Sequence, residues 1–193
     1  NGYAVATMLK LCVSREFYLL AAHESSPVTD WLRALVRKVH AELGGTGVGA
    51  IGMCLTGNFA LSLAVEPAMM APVLSQPALP LPTSADRRAA LAISSGEMAT
   101  LQRRVEEENY KVLGLCFTAD GKVPRERFAA LKHQLGRGFE AIEIDSSPGN
   151  KHGIPKSAHS VLTLDLVREA GHPTEQALQR VLEFLHERLD RRG

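Results

Sequence analysis

Apolar positions along the chain fall into two kinds of run that alternate from one end to the other. Trp31, Leu32, Leu35, Val36, Val39 and Leu43 recur at steps of one, three and four, which places them on one face of an α-helix. Ser26-Pro27 ahead of them supplies a capping hydroxyl and a proline for the first helical position, Asp30 an acid for the first turn, and Gly44-Gly45 a stop. Residues 47–53, 69–74 and 112–117 are instead continuous apolar stretches too short for helices, and they read as strands, the first and third of them buried. Residues 139–144 alternate imperfectly and predict a strand near a sheet edge, while residues 3–9 predict an opening strand.

Helical patterns separate these strands. One runs from Asn58 to Val65 and is stopped by Pro67; another opens at Ser94-Ser95 and reaches Glu108. A third starts at Pro124, carries Phe128, Leu131 and Leu135 and closes at Gly136. The last opens at Pro173-Thr174 and carries Leu178, Val181, Leu182, Leu185 and Leu189. Residues 10–25 have no clean period, and the proline-rich residues 75–82 predict a loop or lid. Strands alternating with helices argue for an α/β fold with a largely parallel sheet. With 193 residues, one domain over 1–193 is expected.

Composition narrows the function. Twenty-two Lys and Arg against 21 Asp and Glu leave a net charge of +1, so no long-range field draws the chain to nucleic acid or an anionic membrane. No run approaches the ~18 apolar residues of a membrane span, and the first residues show no secretory-signal pattern. Three cysteines, Cys12, Cys54 and Cys116, are too few and too odd for a disulfide framework and suggest a reducing, cytoplasmic setting. The expected partner is a small molecule.

In parallel sheets chemistry collects at the carboxyl ends of strands. Cys54 follows the strand at 47–53, Asp120 the strand at 112–117, and His152 and His159 the strand at 139–144. Gly52-Met53-Cys54-Leu55-Thr56-Gly57 has the form of a strand-to-helix elbow, in which a nucleophile in strained geometry needs small residues around it. The helix start beyond it offers N–H groups and a positive dipole end that lower a thiol pKa, with Leu55 N–H the expected first oxyanion donor. Thr56 is larger than the usual glycine. From the residues alone, either histidine could serve as the base, and Asp145 competes with Asp120 as the acid that orients it. Cys116, inside an apolar strand, reads as core. Gly47-Val48-Gly49-Ala50-Ile51-Gly52 matches a dinucleotide fingerprint in form, but it follows a helix and runs into a strand, the reverse of what that motif requires.

The elbow, together with Gly2-Tyr3-Ala4-Val5, residues 120–128 and Ala158-His159-Ser160-Val161, resembles the dienelactone hydrolase family of α/β-hydrolases. The resemblance implies an α/β-hydrolase fold with a Cys54, Asp120, His159 triad, in which the valine-proline step after Asp120 selects it over Asp145. The small residue and apolar run after His159 select it over His152. It also implies earlier strands and a second oxyanion donor ahead of Asn1, so the chain is expected to be incomplete at its N-terminus. Arg15 lies roughly where the family places an arginine for a substrate carboxylate. The function expected is cleavage of small esters or lactones through an acyl-cysteine, with neither metal nor organic cofactor. Two other readings stand beside it. One is a catalytically inactive scaffold that binds a ligand or partner. The other is a glutamine amidotransferase, whose His-Pro-Glu partner would have to be His172-Pro173-Thr174-Glu175.

Overall fold

The computed structural model describes residues 26–79 and 84–190. The strand expected at 3–9, Cys12 and Arg15 lie outside them. Helix α1, Pro27–Leu43, begins where the sequence places it: the Ser26 side chain accepts from Thr29 N–H, and Gly44 ends the helix with φ 68°. Strand β1, Val48–Met53, leads into a 3-10 turn, Cys54–Thr56, and helix α2, Gly57–Leu63. Strand β2, Met69–Ser75, is followed by the short helix α3, Ala85–Ala89, which the apolar pattern does not signal. Helix α4, Ser95–Glu107, opens with a capping box in which Ser94 and Glu97 satisfy each other's backbone N–H groups. Strand β3, Val112–Phe117, helix α5, Arg125–Leu135, strand β4, Phe139–Ile144, and helix α6, Pro173–Leu189, complete the order.

The four strands form an all-parallel sheet in the order β1-β2-β3-β4. The chain is therefore α/β, as the alternation of patterns argued. Two apolar layers sandwich the sheet. On one face Ala60 and Leu61 of α2, Leu101 and Val105 of α4 and Phe128 and Leu131 of α5 pack on Leu74, Val112 and Cys116. On the other, Ala177, Val181 and Phe184 of α6 pack on Ala71, Val73, Leu113 and Leu115. Strand β3 is buried along its whole length, which is why it reads as a continuous apolar run.

Two expectations change and a third narrows. The strand at 47–53 is not buried: β1 is an outer strand among the described residues, with Ile51 46% exposed. The stripe on α1 is only partly covered, since Val36 packs on Leu63 and Met69 whereas Trp31 is 63% and Leu43 79% exposed. Periodicity reports that a face is apolar, not whether another element lies over it. Finally, of the loop or lid expected at 75–82, the described residues 76–79 form a loop, packed in place. All four are buried, and Gln76 N–H continues the sheet's bonding by donating to the Leu115 carbonyl at 2.6 Å.

Candidate active site

Register places the carboxyl ends of the strands on one rim: Met53 pairs with Ser75, Ser75 with Leu115, and Phe117 with Ile144. Cys54 follows β1 directly and has φ +54°, a left-handed conformation uncommon outside glycine. Such strain persists only where the surroundings over-determine it. Here a Cβ on Gly52 would sit 2.3 Å from the Thr56 carbonyl oxygen, so the chain can double back only over a glycine. Position 56 points outward instead, which is why threonine fits. Its hydroxyl accepts from Met53 N–H at 2.9 Å and donates to the Met53 carbonyl at 2.8 Å, tying the two ends of the elbow together. Gly52→Ala is expected to cost about 2–4 kcal/mol, since the obstacle is backbone that cannot swing aside. Urea unfolding of the two proteins measures it.

Asp120 lies just beyond β3 and is buried. Its Oδ1 accepts from Lys122 N–H at 3.0 Å, and its Oδ2 accepts from His159 Nδ1 at 2.5 Å. His159 sits between Ala158 and Val161, both buried in the α6-side core, so two apolar anchors fix the loop that carries it. Asp165 completes the mount: one carboxylate oxygen accepts from His159 N–H at 2.9 Å and Ser160 N–H at 2.8 Å. Sequence reasoning passed over Asp165. An acid six residues beyond a loop histidine is an ordinary turn residue until the two N–H groups are seen to converge on it.

With Nδ1 committed to Asp120, the buried Nε2 of His159 has no hydrogen-bond partner of good geometry. The Cys54 thiol is its neighbour. The nearby His159 is the largest influence on the thiol and lowers its pKa below the usual 9, against burial; the Leu55 N–H and the charge of Lys122 act in the same direction. Asp120 first and Cys54 second raise His159 to about 9. The two shifts together favour a thiolate–imidazolium pair. The helix start acts on the thiol through Leu55 N–H, as one oxyanion donor would, but the histidine outweighs it.

The candidates set aside find other occupations. Asp145 Oδ1 accepts from Ser147 N–H at 2.9 Å and from the Thr118 hydroxyl at 3.4 Å, so one of its carboxylate oxygens closes a local turn. His152 is exposed, its ring edge-on to His172 at 5.3 Å between centroids. His172 is the N-cap of α6 and accepts from Thr174 N–H, while Glu175 pairs with Arg168 at 3.0 Å. Cys116 is buried in the core, where burial pushes its thiol up to about 12. The structure thus brings Cys54, Leu55, Asp120 and His159 together on one rim. No family model matches the chain, and neither does a curated protein or a solved structure.

Proposed function

We propose that the chain is an α/β-hydrolase of the dienelactone hydrolase type that cleaves small esters or lactones through an acyl-cysteine. The observation that carries this reading is a strained Cys54 at the carboxyl rim of a parallel sheet, beside a His159 whose other nitrogen is held by buried Asp120. Nucleophile, base and orienting acid then stand in the relation that acyl transfer needs.

In the proposed reaction the Cys54 thiolate attacks the substrate carbonyl. Leu55 N–H, released from the sulfur as the C–S bond forms, donates to the oxyanion. The imidazolium of His159 gives its proton to the departing alkoxide, leaving an acyl-cysteine and a neutral imidazole. A water molecule then loses a proton to His159 Nε2 and attacks the acyl carbon. The thiolate leaves, the carboxylic acid is released, and the pair returns to its starting charges. Asp120 stabilises the imidazolium at each step without itself taking the proton. Capping by His172 and pairing of Glu175 with Arg168 weigh against the amidotransferase reading.

An activated acyl ester gives the decisive test. Brief reaction with p-nitrophenyl acetate, acid quench and peptide mass spectrometry are expected to show one acetyl group on Cys54, and turnover of a panel of small esters and lactones is expected to follow. Acetylation distributed over lysines, with none on Cys54, would sink the reading.

A further inference from the structure

Two arginines are buried among the described residues, and they differ in what they hold. Arg104 reaches the carbonyls of Ala64, Glu66 and Met69 near the amino end of β2 and is paired with Glu108 at 2.8 Å. Arg127, 1% exposed, donates from Nε to the Ala90 carbonyl at 3.0 Å, from Nη1 to Pro77 at 3.1 Å and from Nη2 to Arg87 at 3.3 Å. No carboxylate is among those partners, and burial draws its pKa down to about 10. A guanidinium withdrawn from water without an acid is costly. Carbonyls alone offset that cost here, so the segments they belong to are held at the expense of stability.

The Pro77–Ala78 segment is the one that touches the elbow. Ala78 N–H donates to the Cys54 carbonyl at 3.0 Å, the carbonyl of the strained residue itself. Pro77 Cα lies 3.0 Å from where a Cβ on Gly57 would be, so the segment is packed against the first residue of α2. A second tie comes from Asn58, 2% exposed, whose Nδ2 donates to the Ala78 carbonyl at 2.7 Å and the Leu55 carbonyl at 3.1 Å. One amide thereby joins the oxyanion-donor residue to the segment that Arg127 holds from the other side.

We propose that Arg127 and Asn58 are positioning residues that clamp Pro77–Ala78 against the elbow, keeping the Cys54 backbone in its left-handed conformation and its thiol against His159. The proposal rests on Cys54 as the nucleophile. It assigns a task to a buried charge and a buried amide that touch neither substrate nor thiol.

The test reads the thiol directly, without any ester. The rate of iodoacetamide alkylation is followed against pH on the Cys54 peptide, separately from Cys12 and Cys116, for the parent, Arg127→Lys, Asn58→Ala and Arg104→Lys. Lysine keeps the charge but cannot reach three carbonyls, and alanine leaves Ala78 and Leu55 untied. Both variants are expected to raise the alkylation midpoint by about one pH unit, so that alkylation at pH values well below the parent midpoint falls ~10-fold. Arg104→Lys is expected to lower the melting temperature while leaving the midpoint in place. A parent midpoint below that of a free thiol, left unchanged by Arg127→Lys or by Asn58→Ala, overturns the clamp. So does an equal shift in Arg104→Lys, which would reduce the effect to general loosening. A parent midpoint equal to that of a free thiol removes the nucleophile and the clamp together. Shifted midpoints in a protein that hydrolyses no ester leave the clamp standing and remove only the hydrolase.

Discussion

Cys54→Ala is expected to lower ester or lactone turnover by ~10³-fold or more, since the covalent route disappears with the sulfur. The fold is expected to survive, because alanine occupies the same left-handed backbone position that cysteine holds at φ +54°. Cys54→Gly sharpens the experiment. Glycine adopts that conformation without a Cβ penalty, so the glycine variant is expected to be about 1 kcal/mol more stable than the alanine variant while equally inactive. Thermal unfolding and turnover of the two variants separate strain from chemistry. Turnover that persists in both would place the reaction elsewhere, and equal stability would show that the elbow stores no strain at Cys54.

Asp120→Asn is expected to cost ~10³–10⁴ in turnover, the scale seen when an orienting acid becomes an amide. The side chain keeps its shape, and its oxygen can still accept from Lys122 N–H as Asp120 Oδ1 does. Its amide, however, presents a donor to His159 Nδ1. The imidazole then carries its proton on Nε2 and cannot take one from the thiol. The pH dependence follows from signs. A carboxylate beside Nδ1 favours the charged imidazole, which is why His159 stands at about 9 rather than 6.5; burial opposes this and loses. Without the carboxylate, the His159 titration seen by NMR is expected to fall from about 9 toward the ordinary histidine range, with Cys54 still opposing the fall. With less imidazolium beside it at neutral pH, the Cys54 thiol is expected to rise toward its ordinary 9, and its alkylation at pH 7 to slow. A His159 titration unmoved by the substitution would show that Asp120 does not govern the histidine.

Much of the architecture is legible because its causes are local. Ser26-Pro27 and Gly44 bound α1 through hydrogen bonds and φ angles a few residues wide. Strand β3 announces itself because both its faces are buried, and the elbow because Gly52 must leave room for the Thr56 carbonyl. Helix α3 escapes notice because it spans only five residues and buries none of them, too little to leave a period.

The choices among acids and histidines belong to a different scale. Asp120 and Asp145 each follow a strand, and apart from the family resemblance nothing in their neighbouring residues separates an acid that meets a histidine from one that closes a turn. Asp145 meets an N–H two residues on and closes a turn, whereas Asp120 is met by a histidine 39 positions away. That meeting is set by Ala158 and Val161 burying themselves under the sheet, a long-range event that overcomes the cost of closing the loop. The same holds for Arg127, which in sequence is one basic residue of an amphipathic helix and in space a buried donor to three carbonyls. The sequence by itself therefore determined the alternation of strands and helices, their caps and the place of the strained cysteine, because backbone sterics and side-chain periodicity act over a few residues. Tertiary structure alone decided which acid meets which histidine, that β1 is an outer strand of the described sheet, and what holds the elbow, because those depend on which distant groups burial brings within hydrogen-bond reach.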